Sequence, residues 1–95
     1  MKYCFDLDGT LCSNTNGQYE KAQPFIDRID FVNKLYDNGN EIYIESARGS
    51  TTKIDWYEFT YNQLSIWGVK FHKLKCDKPY YDIFVEDRSL RIEEI

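Results

Sequence analysis

Apolar residues recur at two different periods along this chain, and the periods alternate. Lys2 to Leu7 is apolar on nearly every position, which predicts a strand covered on both faces. Gly9 to Gln23 is polar, and Ser13-Asn14-Thr15-Asn16-Gly17 is turn chemistry, so this stretch reads as a long loop of the kind that carries function. Pro24 can open a helix, along which Ile26, Ile29, Phe31, Val32 and Leu35 recur at helical spacing until Asn38-Gly39-Asn40 stops it. Glu41 to Glu45 is a second strand by its β-branched and aromatic content, and Ser46 to Ser50 is a tight loop. Ser50 or Thr51 can cap a second helix with Ile54, Tyr57, Tyr61, Leu64 and Trp67 on one face, ending at Trp67-Gly68. Val69 to His72 reads as a short strand, Lys73 to Tyr81 as a loop, and Asp82 to Glu86 as a fourth strand. Ser89 to Ile95 has room for about two helical turns. Strands that alternate with helices predict an α/β fold, a Rossmann-like three-layer sandwich around a small parallel sheet of about four strands.

The 95 residues make one domain, 1–95, with one core. A net charge of −4 disfavours broad binding to nucleic acid, which runs on phosphate neutralisation, while leaving room for a local basic site. Cys4, Cys12 and Cys76 are odd in number and irregular in spacing, which predicts free thiols and a cytoplasmic setting rather than a disulfide framework. With His72 they make four potential zinc ligands, but without a C-x-x-C pair. No apolar stretch is long enough to span a membrane, and Asp6 and Asp8 interrupt the layout of a signal peptide.

Asp6 and Asp8 stand at the end of the first strand, before Gly9. Two carboxylates that close repel unless a cation lies between them, so the pair fits either a Mg²⁺ site with a nucleophilic carboxylate or a capped turn. Other polar clusters follow the later strands: Ser46-Ala47-Arg48, then Lys75 and Lys78, then Glu86-Asp87. In a parallel sheet all of them lie on the carboxyl edge, where open α/β sheets bind ligands.

Asp6-Leu7-Asp8-Gly9-Thr10-Leu11 resembles the first motif of the haloacid dehalogenase (HAD) superfamily of phosphohydrolases. Ser46-Ala47-Arg48 resembles the Thr-Ala-Arg of its small capless members. Lys78-Pro79 with Asp82 resembles their Lys-Pro-x-x-Asp segment, and Glu86-Asp87-Arg88 their Asp-Asp-Arg. The resemblance implies a HAD-like fold without a cap and a Mg²⁺-dependent phosphomonoesterase. Asp6 would attack phosphorus, and Asp8 would serve as general acid and then base. Asp6, the backbone carbonyl of Asp8, and Asp87 would hold Mg²⁺, with Glu86 as the alternative acid. Ser46 would donate a hydrogen bond to a phosphoryl oxygen, and Lys78 rather than Lys75 would supply the phosphate-binding cation. Gly9, Thr10 and Ala47 would line the substrate side; Arg48 would touch substrate or pair with an acid at the edge of the core.

The chain departs from the pattern at Glu86, where many members have Asp, and at Asp77, which replaces a glycine and would draw the Lys78 ammonium from phosphate. Only eight residues follow Asp87, so a fifth strand is not expected, and no insertion is long enough for a cap. The site should be open, unless a second copy of the chain covers it. Three functions follow: a phosphatase for a small metabolite such as a sugar phosphate; a phosphatase for a polynucleotide 3′-phosphate or a phosphoprotein; or a HAD-fold binding protein without turnover, against which the intact Asp6 and Asp8 argue.

Overall fold

A computed structural model describes residues Met1–Glu94. Three parallel strands, β1 (Lys2–Asp6), β2 (Glu41–Glu45) and β3 (Lys73–Lys75), lie in the order β1-β2-β3. Tyr3 pairs with Ile42, Asp6 with Glu45 and Ile44 with Leu74. Helix α1 (Ile26–Asp37) connects β1 to β2, and helix α2 (Tyr57–Ile66) connects β2 to β3.

Two crossovers that step in the same direction along a sheet put both helices on one face, because each is right-handed. The burial pattern follows. Phe5, Ile42, Ile44 and Leu74 of the strands are buried on one face with Leu7, and meet Ile29 and Val32 of α1 and Leu64 of α2. The other face carries Lys2, Cys4, Asp6, Glu41, Lys73 and Lys75, all exposed, beside half-buried Tyr43 and Glu45. The described chain is therefore a two-layer α/β unit of three strands. A sandwich of about four strands was expected, and three are paired among the described residues; the expectation of a first strand covered on both sides is corrected, since Lys2, Cys4 and Asp6 are exposed.

Asp82 to Glu86, the expected fourth strand, pairs with no strand among the described residues and is exposed throughout. A strand needs a partner backbone, and the chain leaves the sheet after Lys78 and packs again only at Ile92. Its last element is a short 3₁₀ turn, Ile92–Glu94, where two helical turns were expected; Ile95 lies outside the described residues.

The third strand forms later than expected because the backbone of 69–71 has other uses. Gly68 turns left-handed at φ 75°, and the Val69 amide caps α2 by donating to the Leu64 carbonyl (3.0 Å). The Lys70 amide donates to Asn33 Oδ1 at 2.8 Å. Only at His72, whose amide donates to the Ile42 carbonyl (2.8 Å), does the chain meet β2.

Helix α2 also starts later, at Tyr57, since Ser50 to Trp56 is a loop folded on itself. Gly49 sits in that loop at φ 87°, and a Cβ there would run into the carbonyl oxygen of Ile54. Gly49→Ala is expected to cost at least about 1–2 kcal/mol from the left-handed backbone alone, with the clash adding to it. Urea denaturation checks this, and Gly39→Ala, whose Cβ would meet open space, controls for backbone conformation.

Candidate functional site

β1 ends at Asp6 because the next carbonyl is turned into a loop. Leu7 O accepts the amides of Thr10 (3.0 Å) and Leu11 (2.8 Å), and the Gly9 amide, at φ 86°, donates to Cys12 O (2.8 Å). This knot fixes Asp8 at the start of the turn, while Leu7 and Leu11 are sealed beneath it. No described residue donates a hydrogen bond to the backbone carbonyl of Asp8.

The 46–48 and 75–78 loops are joined by backbone bonds. Ser46 N donates to Lys75 O (2.8 Å), Asp77 N to Arg48 O (3.0 Å) and Lys78 N to Ser46 O (3.0 Å). Asp77 takes φ 60°, the left-handed turn a glycine would make there and one that aspartate tolerates. That turn delivers Lys78 Nζ to Asp6 Oδ1 at 3.1 Å, so its ion-pair partner is Asp6 and not Asp77. The Asp6 side chain remains 47% exposed, a carboxylate accessible to a ligand. Lys75 ends β3 in solvent and makes no ion pair among the described residues.

Asp8 is held differently. Arg48 Nε donates to Asp8 Oδ2 (3.0 Å) and Arg48 Nη2 to Asp8 Oδ1 (2.9 Å), a two-pronged fork. The Arg48 side chain is 0% exposed and that of Asp8 19%. Arg48 Nη1 donates to Thr60 Oγ1 (3.1 Å) and to Gln63 Oε1 (2.8 Å), both on α2. Its guanidinium lies 4.4 Å from the ring centroid of Tyr19, and Gln63 Nε2 donates to the Tyr19 carbonyl (2.9 Å). Arg48 is thus the acid-pairing residue of the two roles considered for it. It faces inward; of the other residues expected on the substrate side, Thr10 and Ala47 are half-buried and Gly9 is exposed.

Ser46 is 1% exposed; its hydroxyl accepts the Arg48 amide at 3.1 Å, and its own proton is free to donate elsewhere. Beyond Arg48, a cleft of about 460 Å³ opens between the 49–57 loop and β3, with Lys53, Trp56, Tyr57 and Lys75 on its walls.

Glu86 and Asp87 do not join this group. Glu86 accepts the amide of Arg88 at 3.0 Å within an exposed turn, and neither acid is bonded to Asp6, Asp8 or Lys78. Among the described residues no three His, Cys, Asp or Glu side chains gather as a metal-holding cluster. Asp6 and Asp8 therefore stand at the carboxyl end of β1 without a bond to Glu86 or Asp87.

Tyr19, Thr60, Gln63 and Cys12 surround Arg48 and are absent from the sequence-derived site. Thr60, Leu64 and Trp67 stand at i, i+4 and i+7, an inward stripe with a polar member, whereas Tyr57 and Tyr61 of the expected stripe are 44% and 45% exposed.

No family model matches the chain, and no curated protein matches it. A crystal structure of a structural-genomics target from Vibrio cholerae is similar at 27% sequence identity with a TM-score of 0.88, covering 98% of this chain and 85% of that one. The α/β architecture is thus shared with a protein observed experimentally. Among the described residues no helix is long and apolar enough to cross a membrane.

Two predictions follow from the Arg48 network. Removing one partner of a buried pair strands the other charge, so Arg48→Met should lose about 3 kcal/mol in urea denaturation, and Arg48→Lys, which keeps the charge but not the fork, should lose less. Burial, and next the Asp8 carboxylate, push the Cys12 thiol from 9.0 up to about 12. The unfolded thiol ionises first, so its contribution to stability is whole below pH 9 and drains away as pH rises toward 12. Melting temperature should therefore fall less between pH 8 and pH 10.5 in Cys12→Ala than in the parent.

Proposed function

We propose that this chain is a Mg²⁺-dependent phosphohydrolase that forms an aspartyl-phosphate on Asp6 and takes a small phosphorylated metabolite, such as a sugar phosphate. The observation that carries this reading is the Asp6–Lys78 pair: an accessible carboxylate at the carboxyl end of β1, with an ammonium 3.1 Å away. A nucleophile and a cation that adjacent need only a phosphoryl group to bridge them. The sequence resemblance assigns the same two residues to the same two tasks.

In the proposed reaction an Asp6 oxygen attacks phosphorus while the bond from phosphorus to the leaving oxygen breaks. Asp8 gives its proton to that oxygen. Water then attacks the phosphorus of the aspartyl-phosphate, Asp8 takes a proton from it, and phosphate leaves as the Asp6 carboxylate is restored. The Arg48 fork uses one lone pair on each Asp8 oxygen and the Cys12 thiol donates to Oδ1 (3.5 Å), so a second lone pair on Oδ2 stays available for the travelling proton. Lys78 balances charge on the phosphoryl oxygens, and the Ser46 hydroxyl donates to one of them. Mg²⁺, when bound at the Asp6 carboxylate and the Asp8 carbonyl, would add Lewis-acid neutralisation of the same charge.

The test is phosphate release from an aryl phosphate with Mg²⁺ and after chelation, in the parent and in Asp6→Asn and Asp8→Asn. Asp6→Asn should release none, Asp8→Asn should lose on the order of 10²–10⁴-fold, and chelation should silence the parent until Mg²⁺ returns. Equal rates in all three proteins would leave a binding protein as the reading. Sugar phosphates, nucleotides, 3′-phosphorylated oligonucleotides and phosphopeptides then rank the substrate classes.

A further inference from the structure

Among the described residues the sheet has two open edges, and one strand-like segment is without a partner. Asp82-Ile83-Phe84-Val85-Glu86 is as long as β1 and rich in strand-forming residues. It lies in an arm, residues 79–91, that projects between two anchors. At one end Lys78 is bonded to Ser46 and Asp6; at the other Ile92 packs on the core next to Arg28 and Phe31 of α1. On that arm Tyr80, Tyr81, Ile83, Phe84, Val85 and Leu90 are each between 61% and 89% exposed. So much apolar surface on so short a stretch marks an interaction site.

The two edges differ. β3 is three residues long and flanks one buried leucine with Lys73 and Lys75, charges of the kind that block strand addition. β1 is five residues long, its middle is Tyr3-Cys4-Phe5, and its outer edge is unpaired among the described residues. We propose that the chain forms a two-fold dimer in which each copy lays its Asp82–Glu86 segment along the β1 edge of the other as a fourth parallel strand. Both existing pairings are parallel. Continuing that sense with Phe84 level with Cys4 sends Ile83 and Val85 to the buried face beside Tyr3 and Phe5. It also sets Glu86 of the partner subunit beside Asp6, followed by Asp87 of the partner subunit.

The exchange is reciprocal, so it closes without leaving a free edge on β1. Two arms with this many large side chains cover more than about 1,000 Å² in total, the scale a stable interface needs. The pairing deepens the phosphohydrolase reading, since it supplies from the second copy the acid that one chain does not bring to Asp6. It stands apart from turnover, because strand pairing is measured without it.

The experiment uses the full chain with Cys76→Ser, so that exposed Cys4 remains beside buried Cys12, and adds Ile83→Cys, Phe84→Cys or Val85→Cys singly. Equal parts of ¹⁵N-labelled and unlabelled chain are mixed, unfolded, refolded, oxidised and digested. Phe84→Cys should give a Cys4-linked peptide joining labelled to unlabelled chain, and light scattering of the unmodified protein should give twice the chain mass. A monomer mass, a linkage confined to one isotope, or a dimer that links at none of the three positions would each overturn the pairing. Mixing and refolding Asp6→Asn with an E86Q/D87N double variant then reads the site: restored phosphate release shows acids supplied in trans. A linked dimer without restoration keeps the pairing and removes the shared site.

Discussion

The buried fork between Arg48 and Asp8 is the interaction on which the rest of this structure depends. A guanidinium with no exposed side-chain surface must have its donors matched, and here a carboxylate, a threonine hydroxyl, a glutamine carbonyl and a tyrosine ring surround it. Those partners come from the β1 turn, the long 9–25 loop and helix α2. One side chain therefore ties three separate segments to the carboxyl edge of the sheet. The fork aims the Asp8 carboxylate and, with the Gln63–Tyr19 bond, holds the loop after β1 against α2.

Asp6 and Asp8 are two residues apart and live in different electrostatic settings. Asp6 is half exposed and touches an ammonium on a long unbranched stem; Asp8 is largely covered and gripped by a planar cation. The difference suits the unequal tasks proposed for them. A nucleophile has to be reached, whereas a proton carrier has to be aimed. The backbone zipper between the 46–48 and 75–78 loops serves both, because it sets Arg48 and Lys78 from opposite ends of one short ladder.

The single covered face is the other organising fact. Both helices lie on one side, so residues that alternate to the opposite side, Cys4, Asp6, Lys73 and Lys75 among them, meet solvent. A five-residue strand with an open edge and an apolar arm with no partner belong to the same incompleteness. The proposed exchange resolves them together, with one more strand at the edge where the sheet ends.

Much of the fold was legible in the sequence. A nearly continuous apolar run, a helical period and a β-branched and aromatic run located β1, α1 and β2 nearly to the residue, because these and the Asn38-Gly39 stop are local signals. The D-x-D pair was legible too, since like charges at that spacing require compensation. Sequence placed Ser46, Lys78 and the acids at 86–87 on one edge by assuming that each apolar run becomes a strand beside the last. Tertiary structure decided otherwise for two of them: the backbone of 69–71 was taken up in capping α2 and binding Asn33, and 82–86 had no neighbour to pair with among the described residues. It also decided which cation faces which acid. Lys78 reaches Asp6 through a left-handed turn at Asp77, and Arg48 turns inward to Asp8, because Thr60 and Gln63 arrive from a helix whose inward stripe is fixed by packing rather than by its most apolar residues.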